Sequence, residues 1–166
     1  EIQPPIELRV LSKSGEYLIG EFTSTPKIEN GKVVGELGIV RDITERKRAE
    51  EALRESQEKF ERLFMDNPEA AVYMDSSFHI LDINPRFANL FGYSLEEVRG
   101  KLINDVIVPK GKVKEGEELD KKALEGYVHY DTVRKRKDGS LVPVSISAAP
   151  IIVEGKSIGT VGLYRD

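Results

Sequence analysis

The sequence predicts an α+β fold built on one antiparallel sheet, and three observations carry that prediction. Strand-like segments bracket helix-like ones across residues 66–166, in the order two strands, several short helices, three strands. Val142, Val144, Ile146 and Ala148 alternate with Leu141, Pro143, Ser145 and Ser147, the pattern of a strand with one buried and one wetter face. The end of the chain also repeats its beginning. With Gly15 laid over Gly139 and no gap, Pro26/Pro150, Gly31/Gly155, Gly35/Gly159, Gly38/Gly162, Arg41/Arg165 and Asp42/Asp166 coincide. Glycine and proline dominate these matches, so a set of backbone turns recurs, and a module of about 120 residues stands in tandem. The chain is expected to open partway through one copy, to close at the matching end of the next, and to be part of a longer modular protein.

Residues 6–40 read as three strands. Ile6–Leu11 and Tyr17–Ile28 flank a Lys13-Ser14-Gly15-Glu16 turn, and Val33–Val40 returns after Asn30-Gly31, a pair that favours tight hairpins. Asp42-Ile43-Thr44-Glu45 places a capping residue three positions before an acid, a capping box that opens a helix from about Ile43 to Met65. Along it Ala49, Leu53, Ser56, Phe60 and Leu63 step by four and three. That is a short heptad seam suited to self-pairing, though the same spacing fits an amphipathic helix lying on its own domain. Asp66-Asn67-Pro68 ends the helix. Ala70–Met74 and Phe78–Ile83 form a hairpin around Asp75-Ser76-Ser77, and Asn84-Pro85 starts a helix as N-cap and first helical residue. Phe87, Leu90 and Phe91 share a face of that helix, which stops at Gly92. Ser94 and Glu97 make a second capping box, for a short helix ending at Gly100. Val113–Leu124 is a charged helix with a thin stripe through Val113, Gly116, Leu119, Ala123 and Leu124. Val128–Arg136, Leu141–Val153 and Ser157–Arg165 are the closing strands.

Composition excludes more than it assigns. A net charge of −4 with no concentrated basic face argues against sequence-independent nucleic-acid binding. The run Arg134-Lys135-Arg136-Lys137 reads as a strand end and turn. No apolar run nears the roughly 18 residues of a membrane-crossing helix, and the expected compartment is the cytoplasm. Absence of cysteine removes disulfides, thiolate metal sites and cysteine nucleophiles together. The two histidines, His79 and His129, fall on strands and do not accompany a nucleophile. Glu96-Glu97 and Glu117-Glu118 are helix neighbours that point about 100° apart, so neither pair converges on a substrate. The chain itself is not expected to be an enzyme.

Asn84-Pro85-Arg86-Phe87, Phe91-Gly92-Tyr93-Ser94 with Glu97, Gly100-Lys101, Arg136-Lys137-Asp138-Gly139-Ser140, Pro150-Ile151 and Gly159 together resemble the PAS sensor family, whose strand-rich C-terminal portion is often called PAC. Arg41-Asp42-Ile43-Thr44-Glu45-Arg46 resembles the family's junction into a signalling helix. The resemblance implies three parts: C-terminal strands of a truncated module over 1–42, a connecting helix over 43–65, and a complete domain over 66–166. It implies a five-stranded antiparallel sheet curled around short helices and enclosing a small cavity.

The function implied is a sensor module that detects a small-molecule or cofactor-borne signal. It would relay the result through a flanking helix to an output domain such as a histidine kinase. The alternative is a ligand-free dimerisation module that only relays conformational change. Asp42, Ile43, Thr44 and Asp166 are the expected relay residues, and Ala49, Leu53, Phe60 and Leu63 the expected seam of a homodimer. The candidate cavity lining is Tyr73, Ile83, Phe87, Phe91, Ile103, Leu124, Tyr130 and Ile146, although core filling is the favoured reading for most of them. Tyr73 and Tyr130 stand out, because a buried phenol needs a partner that a ligand can supply. Cysteine-dependent flavin photochemistry is excluded, whereas flavin held without a covalent bond stays open. Haem is not expected, since Val113–Leu124 carries no histidine.

Overall fold

The computed structural model describes residues 4–166, in two compact units, one ending at Lys59 and the other spanning Phe60–Asp166. The first unit is an antiparallel sheet of β1 (Ile6–Leu11), β2 (Tyr17–Glu29) and β3 (Lys32–Asp42), in that order. Helix α1 (Thr44–Met65) leaves directly from β3. Three hydrogen bonds fix the junction. The Asp42 carboxylate accepts from the Thr44 N–H at 2.9 Å, the Thr44 hydroxyl accepts from the Ile19 N–H at 2.8 Å, and the Ile43 N–H donates to the Ile19 carbonyl at 2.8 Å. Ile43 and Thr44 are buried. Asp42 thus caps the helix start as its sequence position predicts. Glu45 makes no return bond among the described residues, because Asp42 is still paired with Gly20 at the end of β3.

The second unit is a five-stranded sheet of order β5-β4-β8-β7-β6, with every pairing antiparallel. Its strands are β4 (Ala70–Met74), β5 (Ile80–Ile83), β6 (Val128–Lys135), β7 (Leu141–Val153) and β8 (Lys156–Arg165). Between β5 and β6 run α2 (Pro85–Phe91), α3 (Leu95–Val98), α4 (Ile103–Ile107), a 3-10 turn over Lys110–Lys112, and α5 (Val113–Glu125). The expected α+β class and five-stranded antiparallel sheet are what the structure shows. Two local readings differ. Phe78 adopts a positive φ of 64° inside the turn, so β5 starts later, at Ile80. Helix α4 was not read at all, because five residues give no repeat of a helical period.

The core lies between the helices and one face of the sheet. Ala70, Val72 and Met74 of β4, Val142, Val144 and Ile146 of β7 and Tyr164 of β8 meet Phe87, Phe91, Val98, Ile103, Val106 and Ile107 from the helices. Asn84 organises the corner where α1, β4 and α2 converge. Its Oδ1 accepts from the N–H groups of Ala71 (2.8 Å) and Phe87 (2.9 Å), while Nδ2 donates to the carbonyls of Glu69 (2.9 Å) and Phe64 (3.2 Å). A fully buried amide is tolerated there because its donors and acceptor are all met.

The repeat in the sequence is also a repeat in register. Glu21↔Arg41 through Glu29↔Lys32 of β2–β3 corresponds pair by pair with Ser145↔Arg165 through Val153↔Lys156 of β7–β8. The shift between Lys27 and Ile28 has its counterpart between Ile151 and Ile152. Ile6↔Phe22 and Leu11↔Tyr17 likewise match Tyr130↔Ile146 and Lys135↔Leu141. Gly15 and Gly139 hold φ of 88° and 86°, and Gly31 and Gly155 both hold 76°. These left-handed conformations suit glycine, which is why the turns survive as sequence identities.

Candidate functional site

A small cavity, of about 30 Å³, lies between α4, α5 and the inner face of β4, β6, β7 and β8. Helix α5 comes close because Gly116 faces α4: a Cβ there would sit 2.8 Å from Asn104 Oδ1. The floor and walls are apolar, with Met74, Phe78, Ile103, Ile107, Val128 and Ile146 among them. One side is polar, made by Asn104, Asp120, Arg134, Thr160 and Tyr164.

The polar side is unusual in its charges. Arg134 is only 2% exposed, and a buried guanidinium requires a counter-charge. Glu115 supplies it from the first turn of α5, with 2.8 Å from Arg134 Nη1 to its Oε1. The same carboxylate accepts from the Thr132 hydroxyl and from Lys112 Nζ, each at 2.6 Å. Burial works to raise the Glu115 pKa, but the bonds from Lys112, Thr132 and Arg134 outweigh it and hold the carboxyl at about 2. Glu115 therefore stays ionised and latches α5 to β6. Asp120, one face further along α5, moves the other way. Burial pushes it up to about 6, against a 2.6 Å bond from Asn104 Nδ2 and the field of Arg134. Tyr164 is buried, edge-on to Phe87 and Phe91, and burial drives its ionisation well above the ordinary tyrosine range. The Thr160 hydroxyl has no hydrogen-bond partner among the described residues. An unmet buried hydroxyl costs about 1–3 kcal/mol and marks a place where a partner is missing.

Of the eight residues expected to line a cavity, Ile103 and Ile146 do so. Ile83, Phe87 and Phe91 are buried in the core beside it, the two phenylalanine rings tilted at 50° with centroids 4.6 Å apart. Tyr73 is a correction. It pairs with Val161 and alternates with the core residues Val72 and Met74, so it lies on the opposite face of the sheet. Leu124 is a second correction: α5 turns Gly116 and Ala123 inward and leaves Leu124 43% exposed. Tyr130 is a third. Its register places it on the inner face opposite Ile146, but β6 is the sheet edge and the ring is 42% exposed.

The polar residues were missed, although two signals were available. Arg134 shares the strand parity of Val128, which places it inward, whereas a run of four basic residues reads as a solvated turn. Asp120 stands four residues after Gly116 and three before Ala123, within the same helical stripe. Thr160 has no comparable signal, since its burial depends on β4 lying alongside β8.

At the outgoing end, Asp166 borders an open cleft of about 490 Å³ with Pro68, Arg86, Arg136 and Arg165. The incoming and outgoing segments are neighbours there, because Ala70 pairs with Tyr164 and Arg165 lies 3.7 Å from Glu69. On α1 the expected seam residues Ala49, Leu53, Phe60 and Leu63 are all exposed.

Comparison with known proteins agrees with this architecture. A family model described as the PAS fold matches residues 65–166, and a second, described as a PAS domain, matches residues 2–45. Sporulation kinase E of Bacillus subtilis (strain 168) is 34% identical over 101 residues, 61% of this chain. The chain spans 13% of that relative's length. The crystal structure of the PAS domain of an HTR-like protein from Haloarcula marismortui aligns with a TM-score of 0.58 at 25% identity, covering 72% of this chain and 98% of that one. The PAS domain of a protein from Colwellia psychrerythraea aligns with a TM-score of 0.61 at 26% identity, covering 66% and 95% respectively. The PAS-fold model covers more than half of the chain, and the chain belongs to the PAS family, whose domains are sensory, non-catalytic modules.

Proposed function

We propose that residues 66–166 are a complete sensing domain, that its input is a small molecule in the cavity beneath α5, and that the flanking helices relay the result to an output domain such as a histidine kinase. The observation that carries this reading is the unpartnered Thr160 hydroxyl on the cavity that also exposes the buried Arg134 and Asp120. Protein interiors rarely leave such a group unmet without a ligand or ordered water. Similarity to a stretch of a sporulation kinase supports the output class. The route outward is short: Thr160 and Tyr164 stand on β8, whose end borders the cleft at Asp166 and whose neighbour β4 receives the incoming helix. The repeat-equivalent route in the first unit runs along β3 into Asp42, Ile43 and Thr44. A cavity of about 30 Å³ favours a few heavy atoms over a flavin or a haem. A cytoplasmic location goes with an output domain of the histidine-kinase kind; no helix among the described residues is long and apolar enough to cross a membrane.

A second reading adds to the first. Leu53, Phe60 and Leu63 are 60%, 59% and 65% exposed at heptad spacing along α1, and we assign this seam to pairing with the same helix of a second copy. If the module proves to bind nothing, this pairing is its whole function. Native mass spectrometry of the purified chain, with an absorbance spectrum of the same sample, tests both readings. A retained small molecule supports the sensor. An empty dimer that gains no mass from any added ligand refutes it and leaves the pairing module.

A further inference from the structure

Resting on the sensor reading above, we propose that the cavity beneath α5 binds a short-chain monocarboxylate, taken up together with one proton that goes to Asp120. The argument starts from donors without acceptors. Every hydrogen bond Arg134 makes runs through Nη1, so its Nε and Nη2 groups have no partner among the described residues. The Thr160 hydroxyl is in the same position. Both residues line the cavity, and Arg134 is buried to 98% of its surface by the 2% that remains exposed. A carboxylate offers two oxygens with about four lone-pair sites, and a planar guanidinium fork matches that geometry. A neutral alcohol offers a single oxygen and would leave donors unmet. The opposite walls, Met74, Phe78, Ile103 and Ile146, suit a short alkyl tail. By size, about 30 Å³ admits roughly two water-sized centres, so the carboxylate group itself fills the cavity and the acid is confined to the smallest members, with at most a methyl group.

Charge balance then requires the proton. Lys112 and Arg134 are already balanced by Glu115 and an ionised Asp120, so an incoming anion would leave the site with one surplus negative charge. The groups acting on Asp120 are Asn104 from α4, Arg134 from β6, Tyr164 from β8 and Glu117 on its own helix. None is a second free cation. Two carboxylates in one poorly solvated site cannot both ionise cheaply, and Asp120 is the one whose protonation is already brought toward neutrality. A proton moves from solvent to the Asp120 carboxylate as the anion enters, and the resulting O–H becomes a further donor to the ligand.

Isothermal titration of the whole chain with sodium acetate, sodium propionate and ethanol tests this, in buffers of differing ionisation heat from pH 5.5 to 8. Acetate is expected to bind, and propionate to bind more weakly, with uptake of about one proton at pH 8, the apparent affinity falling about tenfold between pH 7 and 8 and levelling below about pH 6. Asp120→Asn is expected to bind the acid without proton uptake and with a flat profile. Thr160→Val, which keeps the side-chain shape, is expected to weaken it about tenfold or more. An unchanged pH slope in Asp120→Asn would place the proton elsewhere and overturn the proposal. Ethanol binding with neither acid binding would overturn the ligand class while leaving the sensor reading intact. Silence from all three probes, with an empty protein by native mass spectrometry, would remove both.

Discussion

Replacing Glu115 by glutamine isolates the latch between α5 and β6. In the wild type one carboxylate takes three donors: Lys112 Nζ, the Thr132 hydroxyl and Arg134 Nη1. Arg134's side chain is 3% exposed and that of Glu115 20%, so the pair is largely out of water and the cation has no second salt-bridge partner among the described residues. Breaking a buried pair by removing one charge costs about 3–5 kcal/mol, because the other charge is left uncompensated. Glutamine keeps the shape and one acceptor oxygen, which places the expected loss at the lower end, about 3 kcal/mol. The sign with pH follows from the carboxyl's being held at about 2 when folded, against an ordinary value of 4.5. Its contribution is fully present above pH 4.5 and is lost as pH falls toward 2, so the gap between wild type and variant closes over that window. Urea unfolding of both proteins at pH 7 and pH 3 measures it. A variant as stable as the wild type at pH 7, or a gap that does not shrink at pH 3, would refute the reasoning. α5 would then be held by its apolar contacts alone.

Three further expectations follow from the same structure. Gly35 and Gly159 are repeat equivalents, yet a Cβ at Gly159 would lie 2.4 Å from the Met74 carbonyl oxygen and one at Gly35 meets nothing within 4 Å. Gly159→Ala should therefore destabilise the second unit by about 1–3 kcal/mol, whereas Gly35→Ala should leave the melting profile unchanged or slightly raised. Thr44→Val removes the acceptor for the Ile19 N–H, an unmet donor worth about 1–3 kcal/mol. Hydrogen exchange at Ile19 should accelerate selectively, and unchanged protection there would deny the junction its role. Charged substitutions at Leu53 and Phe60 together should abolish pairing of the chain, read as a shift to monomer in analytical ultracentrifugation at concentrations where the wild type pairs. A variant that sediments like the wild type removes the seam from the interface.

What was legible in the sequence was local or periodic. The strands of both hairpins and the repeat depend on turn residues with left-handed φ or on alternation along a single strand, and the Asn84 cap and the junction at Asp42 on a side-chain oxygen accepting from an N–H two or three residues on. Those signals lie within a few residues of one another, where backbone sterics act. The cavity prediction fared differently. Tyr73, Leu124 and Tyr130 are large residues on strands and on a helix expected to face the sheet, and each departs in orientation: the opposite sheet face, the outer side of α5, and an uncovered sheet edge.

By itself the sequence determined the class of fold and the recurring hairpin turns, because period-two alternation and glycine turns encode them residue by residue. Only the tertiary structure decided the site. Inserting β4 beside β8 buries Thr160, closing α5 over β6 buries Arg134 against Glu115, and the same closure raises Asp120 toward neutrality. Desolvation and charge pairing are properties of which surfaces meet, and residues from α4, α5, β6 and β8 meet here only after the sheet order is set.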